Sequence, residues 1–221
     1  MFEALWGAAR AVGAYSTALA VVADNLANIS TPGFTPRRTV FAELVDGSVS
    51  RPSGLEPLVQ AVPGQGPLVA TGRRWDFAVA GPGYFPLRLE DGQTAYARSG
   101  AFSLDAQGRL TGPRGALVLG AGGTALEPLA SDNRPTLVSF ANPGGLHHLG
   151  DGLYSPTPTS GPPRPAPAGA RVVEGHLEQS STDLAAEMAT LLATQRAFQL
   201  AVRGLDTQDQ MLGLANRLKG T

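Results

Sequence analysis

The side chains that could carry out chemistry are few, and their spacing decides against most of them. His147, His148 and His176 are the only histidines, and there is no cysteine. A zinc or related site needs three or four ligands at recognisable spacing. No His or Cys pattern of that kind accompanies the three imidazoles, which read as exposed loop histidines. Without cysteine there is no disulfide framework, thiol nucleophile or zinc–thiolate centre. Gly120-Ala121-Gly122-Gly123 follows a strand pattern as a phosphate loop would. No helical pattern follows it and no complete G-x-G-x-x-G exists, so the segment reads as a turn. No G-x-S-x-G elbow is present. The carboxylate neighbours Glu90-Asp91, and Glu174 with Glu178, fall in turns or near a helix start and read as solvated groups. Trp75, Tyr84, Phe85 and Tyr96 could stack on sugars, as in a glycan-binding or peptidoglycan-processing module on a helical stalk. Most of them fall on alternating, core-facing positions, which favours packing. The residues offer no catalytic constellation and no cofactor or metal site, so no enzyme is expected.

The elements around these residues carry more information. Phe2, Leu5, Ala9, Val12, Ser16, Leu19, Ala23 and Leu26 recur at alternating spacings of three and four, with only Ser16 off-pattern. That is the a/d seam of a coiled-coil helix. It stops at Pro32-Gly33, where Pro32 lacks an amide hydrogen and disfavours helix at Thr31. A second seam occupies the far end: Leu184, Met188, Leu191, Gln195, Phe198, Val202, Leu205, Asp209 and Leu212. Thr182 or Ser181 is expected to cap that helix, with Asp183 and Glu187 near its positive end. If the two helices pair, they must run antiparallel, because both join the middle of the chain at their inner ends. A fully buried Leu, Val or Phe contributes about 1.5–3 kcal/mol, whereas ordering a helix backbone costs about 1–2 kcal/mol per residue. One thin stripe interrupted by Ala9, Ser16 and Ala23 does not offset that cost. The Ala residues on other faces (Ala8, Ala11, Ala14, Ala18, Ala20) suit close contact with several neighbouring helices. The helices are therefore expected to be loose in a lone chain and to lock in a many-chain assembly.

Between the seams the period changes from seven to two. Phe77 and Val79, then Phe85, Leu87 and Leu89, alternate on either side of Gly81-Pro82-Gly83. Asp91-Gly92 signals a hairpin, and Asp105 to Gly108 another turn. Strands this short imply an antiparallel β unit. Gly (28) and Pro (18) make up about a fifth of the 221 residues, against roughly 12% on average, which suits a turn-dense β middle. Residues 46–67 read as connector with at most a short strand. Pro156 to Pro167 reads as an extended surface arm, and Arg171 to Leu177 as a last strand. The expected fold is α+β: long terminal helices paired antiparallel, coiled-coil-like, and one antiparallel all-β domain. The expected boundaries are 1–45 for the N-terminal helix and its following motif, and 46–74 for the connector. The β domain takes 75–175, with the Pro-rich arm at 156–169, and the C-terminal helix takes 176–221 and packs on 1–34.

A formal net charge of −1 and a pI near 6.3 give no electrostatic case for nucleic acid or an anionic membrane. No apolar run approaches the roughly 18–20 residues of a membrane span. Arg10 and the mildly apolar run after it resemble a signal peptide. However, Glu3 stands where positive charge is expected and the heptad crosses the supposed cleavage site, so no cleaved signal is expected.

Asn25-Leu26-Ala27-Asn28-Ile29-Ser30-Thr31-Pro32-Gly33-Phe34 resembles the signature of the bacterial flagellar rod and hook family. Gly175 to Ser180, Glu187, Gln195-Arg196-Ala197-Phe198 and Asp209 to Leu212 resemble its C-terminal block. Ala95 to Asp105 with Gly108, inside Phe77 to Gly120, is similar to its β domain, and Leu146 to Tyr154 to a distal-rod segment. The resemblance covers nearly the whole chain and leans toward distal-rod members. A proximal-rod or non-motility paralogue is the alternative. The resemblance implies subunits stacked helically into a hollow driveshaft, terminal helices inside and β domain outside. It also implies partners: copies of the same chain, other rod and hook subunits, the flagellar type III export apparatus and the surrounding ring proteins. Location in the basal body, after export without a cleaved signal, follows from the same resemblance. Asn25, Asn28, Thr31, Gly33 and Phe34 match the N-terminal motif, and Gln195, Arg196 and Phe198 the C-terminal one. They are expected to serve assembly and folding. Thr35 stands where the family usually has Lys, and Ser180-Ser181-Thr182-Asp183 replaces its Ser-Asn-Val-Asp. A single β domain argues against a hook protein.

Overall fold

The computed structural model describes residues 2–45, 52–127 and 134–219. The chain forms two compact units, one from residues 1–27, 37–60 and 183–221, the other from 28–36 and 61–182.

The first unit is helical. Helix α1 (Phe2–Ala27) has 26 residues and α2 (Leu184–Lys219) has 36, about 39 Å and 54 Å at 1.5 Å per residue. They pack against each other, and α1 also packs on β1 (Arg37–Val45), which pairs with β2 (Pro52–Ala61). Tyr15 on α1 meets Phe41 on β1 edge to face, 5.7 Å between ring centroids. A ten-residue strand stands where the composition suggested connector. Its prolines, Pro52 and Pro57, are tolerated because both strands of a two-stranded ribbon are edges.

The buried stripe of α1 is Ala14, Ala18, Val21, Val22 and Asn25. Ala14, Ala18, Val21 and Asn25 lie two positions beyond Val12, Ser16, Leu19 and Ala23 of the expected seam. Two residues turn a helix by about 200°, so the unit buries nearly the opposite face. Ala9, Ser16 and Ala23 are exposed, while Val12, Leu19 and Leu26 are half-buried. Helix α2 has no fully buried side chain among the described residues.

The second unit is antiparallel throughout its described pairings. Its strands are β3 (Leu68–Ala70), β4 (Asp76–Ala80), β5 (Phe85–Arg88), β6 (Thr94–Ala97), β7 (Gly100–Ala101), β8 (Ser103–Leu104), β9 (Leu110–Thr111) and β10 (Leu117–Val118). They continue as β11 (Val138–Ser139), β12 (His147–Gly150), β13 (Leu153–Ser155), β14 (Arg164–Pro165), β15 (Arg171–Glu174) and β16 (His176–Glu178). One sheet runs β12-β13-β6-β5-β10-β9-β8 and a second β15-β4-β7, while β16 pairs with β3 and β11 with β14. The hairpin signals hold. Asp91-Gly92 joins β5 to β6, with Arg88 opposite Thr94, and Asp105 to Gly108 joins β8 to β9.

Two apolar clusters form this unit's core. Phe77, Val79, Phe85, Leu87, Phe102 and Leu110 belong to the larger one, and Tyr84, Tyr96, Phe140 and Tyr154 make the smaller. The four sugar-stacking candidates are thus accounted for, since Trp75 packs on the larger cluster. Strand β4 is buried from Asp76 to Val79, on both faces rather than alternately. The expected last strand is two strands broken at Gly175, whose amide donates to the Asp76 carbonyl. Among the described residues the Pro-rich tract joins a sheet through Arg164–Pro165 at an edge, as proline requires. It is pinned by a turn around fully buried Ser160, whose Oγ donates to the Thr157 carbonyl at 2.9 Å.

Candidate assembly site

In the helical unit the expected motif residue Asn25 is a junction. Its side chain is 1% exposed. The Nδ2 amide donates to the Arg37 carbonyl at 2.7 Å and to Glu187 Oε1 at 3.1 Å, while Oδ1 accepts from the Arg37 amide at 2.9 Å. A primary amide is the side chain that can pair with both backbone groups of one residue and still donate to a carboxylate. Asn25 thereby ties the end of α1 to the start of β1 and the first turn of α2. An Asp24–Arg37 ion pair flanks it. Glu187 serves this junction, and the α2 cap is Asp183, whose Oδ1 accepts from the Ala185 and Ala186 amides at 2.9 and 3.2 Å. Thr182 and Ser181, the expected caps, are occupied otherwise or not at all. Thr182 Oγ1 accepts from Ser180 Oγ at 2.8 Å, and Ser181 Oγ has no partner among the described residues.

The remaining α2 candidates divide. Leu191, Phe198, Val202 and Leu205 are half-buried, whereas Leu184 (49%), Met188 (52%), Gln195 and Arg196 are exposed. Leu5 lies in α1 and Leu212 in α2, and their side chains fall outside the described ones. Exposure extends to Trp6, Leu192, Leu200, Met211 and Leu214.

In the β unit, Asn28, Thr31, Gly33 and Phe34 form a turn. The Thr31 amide donates to the Asn28 carbonyl at 3.0 Å, and Thr31 Oγ1 to Asn28 Oδ1 at 3.1 Å. Phe34 is buried. Gly33 has φ of 69°, and a Cβ there would lie 2.5 Å from the Ser99 amide nitrogen and 2.8 Å from its Cα. Only glycine fits, both for backbone conformation and for space. The Gly33 amide donates to the Glu178 carbonyl at 2.7 Å, and the Ser181 amide to the Phe34 carbonyl at 3.3 Å.

Two carboxylates are more deeply placed than the sequence suggests. Glu178 is 2% exposed and not solvated. Its Oε2 accepts from Arg98 Nε at 2.6 Å and its Oε1 from the Gly66 amide at 2.9 Å. Asp76, fully buried, accepts from Thr71 Oγ1 at 2.6 Å and from Arg73 Nε and NH2 at 2.9 and 2.6 Å. Burial pushes its carboxyl up, but the Arg73 and Thr71 hydrogen bonds outweigh this and hold it below the usual carboxylate range. The signal that could have found Glu178 is Arg98, a charge at the end of the apolar-alternating run Ala95-Tyr96-Ala97 that calls for an acid partner if it is buried. The histidines lie in strands and not in loops. His148 Nδ1 accepts from the Gly150 amide at 3.2 Å, and His176 Nδ1 is 2.8 Å from the Glu174 carbonyl. The Gly120–Gly123 turn is a short 3-10 turn over Ala121–Gly123.

These features join the segments that flank the two long helices, and the chain's similarities identify the kind of protein built this way. Residues 8–35 match the model for flagella basal body rod proteins. Residues 78–136 match the flagellar hook protein FlgE/F/G D1 domain, and residues 173–218 the flagellar basal body rod FlgEFG protein C-terminal region. The flagellar basal-body rod protein FlgG of Buchnera aphidicola subsp. Schizaphis graminum is 30% identical over 260 residues, covering 99% of this chain and 100% of the relative. The chain belongs to the flagellar basal-body rod protein family. The FlgG of Agrobacterium fabrum is 31% identical over 258 residues, covering 97% of this chain and 98% of that one. The rod protein FlgF of Escherichia coli is 29% identical over 246 residues, covering 94% and 96%. The protein is thus a structural subunit of the flagellar basal-body rod, and no helix among its described residues is long and apolar enough to cross a membrane. The rod-protein match at 8–35 takes in the Asn25 junction and the Gly33 turn, and the C-terminal match takes in Glu178, Asp183 and Glu187.

Proposed function

We propose that this rod subunit self-assembles through its terminal helices, neighbouring chains completing the burial of a stripe that a single chain leaves partly exposed. The carrying observation is the α1 stripe of Ala9, Val12, Ser16, Leu19 and Ala23. It has heptad spacing, yet it lies opposite the face that α1 buries within its own unit. The exposed Leu184, Met188, Leu192 and Leu200 on α2 support the same reading. At about 1–2 kcal/mol per ordered residue, a 36-residue helix with no fully buried described side chain needs further burial. The assembly residues are then Leu5, Val12, Leu19 and Leu26 on α1, with Leu184, Met188, Leu191, Phe198, Val202, Leu205 and Leu212 on α2. Gln195 and Arg196 are exposed polar members of the same interface. Asn25, Asn28, Thr31, Gly33 and Phe34 hold the geometry at the chain's turns.

The distal segment, next to the hook, is the position that the sequence pattern favours. Passage through the flagellar export apparatus as an unfolded chain accords with helices that complete their burial only on assembly. The ring proteins around the rod are its remaining partners. The test is complementation of a strain lacking the chain's own gene. The full chain is expected to restore swimming, and V12D/L19D to be exported, yet to leave the rod unfinished. Swimming restored by V12D/L19D would refute the assignment of that stripe. Cross-linking to hook subunits is expected for the distal position, and its absence in complete basal bodies would refute it.

A further inference from the structure

We infer that Arg98 and Glu178 are positioning residues, whose buried pair fixes the two segments leading into the terminal helices side by side. This rests on the assembly reading only for its consequence; the geometry itself stands within the β unit. Glu178 belongs to the segment that precedes α2, and Gly33-Phe34 to the segment that follows α1. The two segments run alongside each other through two backbone bonds, Gly33 amide to Glu178 carbonyl at 2.7 Å and Ser181 amide to Phe34 carbonyl at 3.3 Å. Glu178 ends β16, which is paired with β3 on one side, while residues 33–34 belong to no strand, so side chains around Glu178 supply on its other side what a further strand would.

Arg98 does so. Its Nε and NH2 bind the Glu178 carboxylate at 2.6 and 3.3 Å, its NH1 donates to the Gly83 carbonyl at 2.6 Å, and NH2 is 3.4 Å from the Val79 carbonyl. Glu178 adds the Gly66 amide at 2.9 Å. One fork and one carboxylate thus collect four stretches of backbone, around residues 66, 79, 83 and 178. Arg98 is 8% exposed and Glu178 2%. A buried ion pair is weak evidence for stability, since a well-packed apolar pair often replaces it without loss. It is a better device for fixing one arrangement, because any other leaves a charge unpaired. The Arg98 and Ser99 backbone also borders the turn: a Cβ on Gly33 would lie 3.0 Å from the Arg98 carbonyl carbon and 2.5 Å from the Ser99 nitrogen. Residues 98 and 99 therefore meet both the Gly33 turn and the Glu178 carboxylate.

The experiment uses the full chain with R98M/E178M, which keeps bulk and removes both charges. Amide exchange at Gly33 and Ser181 and the thermal midpoint of the β unit are read together. The expected result is a midpoint near that of the unsubstituted chain, at least tenfold faster exchange at both amides, and lost complementation of swimming. Unchanged exchange at Gly33 and Ser181 in the folded double variant would overturn the inference. If R98M/E178M does not fold, R98K decides. It keeps the charge but not the fork, and faster exchange at both amides with an unchanged midpoint supports the positioning role, whereas unchanged exchange overturns it. A failure of the unsubstituted chain to complement would count against the assembly reading, while the exchange result would still judge the pair.

Discussion

Gly33→Ala and Gly72→Ala separate two reasons for a glycine. Both positions have left-handed backbone, with φ of 69° and 70°. A Cβ at 72 meets nothing within 4 Å, whereas at 33 it meets the Ser99 backbone at 2.5 and 2.8 Å. Placing an L side chain in that conformation costs about 1–2 kcal/mol, which is the whole effect expected at Gly72. At Gly33 the clash is with backbone, which cannot rotate away, so the turn must move. That movement breaks the 2.7 Å bond from the Gly33 amide to the buried Glu178 residue, adding about 1–3 kcal/mol. The expected loss is therefore about 2–5 kcal/mol for Gly33→Ala, against about 1–2 for Gly72→Ala. Urea unfolding followed by Trp75 fluorescence reads it, in a Trp6→Phe background that removes the second tryptophan; Trp75 packs on the larger core cluster. Equal midpoints for the two variants would refute the claim that close backbone approach at Ser99 is what requires Gly33.

Asn25→Ala leaves the Arg37 amide and carbonyl without their partner, and is expected to lower helical-unit stability by about 2–4 kcal/mol, read by circular dichroism. Asn25→Asp is expected to be worse at pH 7 than at pH 4, because its carboxylate would face the Glu187 carboxylate and the Arg37 carbonyl. Asp183→Ala should cost α2 about 1 kcal/mol, while Ser181→Ala should cost nothing measurable at the helix start. For Asp76 the folded carboxyl lies below its unfolded value, so its contribution is present above the unfolded pKa of about 3.9. It is lost as pH falls through the folded value; Asp76→Asn should therefore be less stable than the unsubstituted chain at pH 6, with the gap narrowing in acid. Burial pushes the Tyr84 phenol up to about 12. The folded state thus keeps a proton that the unfolded chain gives up near pH 10, and stability should fall between about pH 10 and 12, absorbance at 295 nm tracking unfolding.

What was legible in the sequence was local. Asp91-Gly92 and the Asp105–Gly108 turn are fixed by their own side chains: Asp91 Oδ1 accepts from the Gln93 amide and Asp105 Oδ1 from those of Gln107 and Arg109. Both long helices were legible from period alone. Which face of α1 turns inward was not, because Ala14 and Ala18 keep heptad spacing with Val21 and Asn25 as faithfully as Val12 and Leu19 do in the other register. Strand β2 was hidden by prolines that an edge tolerates. Glu178 looked solvated because its partner, Arg98, lies 80 positions away in the chain. The helix cap was displaced by one residue, among four adjacent side chains that can all cap. The motif residues Asn25 and Gly33 were found through the resemblance, but their physical roles became visible only with Arg37, Glu187 and Ser99 in place.

The most direct measurement of the central claim is helix content against association state for the purified full chain, by circular dichroism and sedimentation over a wide concentration range. Helical signal and its thermal cooperativity are expected to rise together with the sedimenting species, and a chain trimmed of residues 2–27 and 184–219 should show neither change. Complete, cooperative helix in a species that stays monomeric at every concentration would contradict the account.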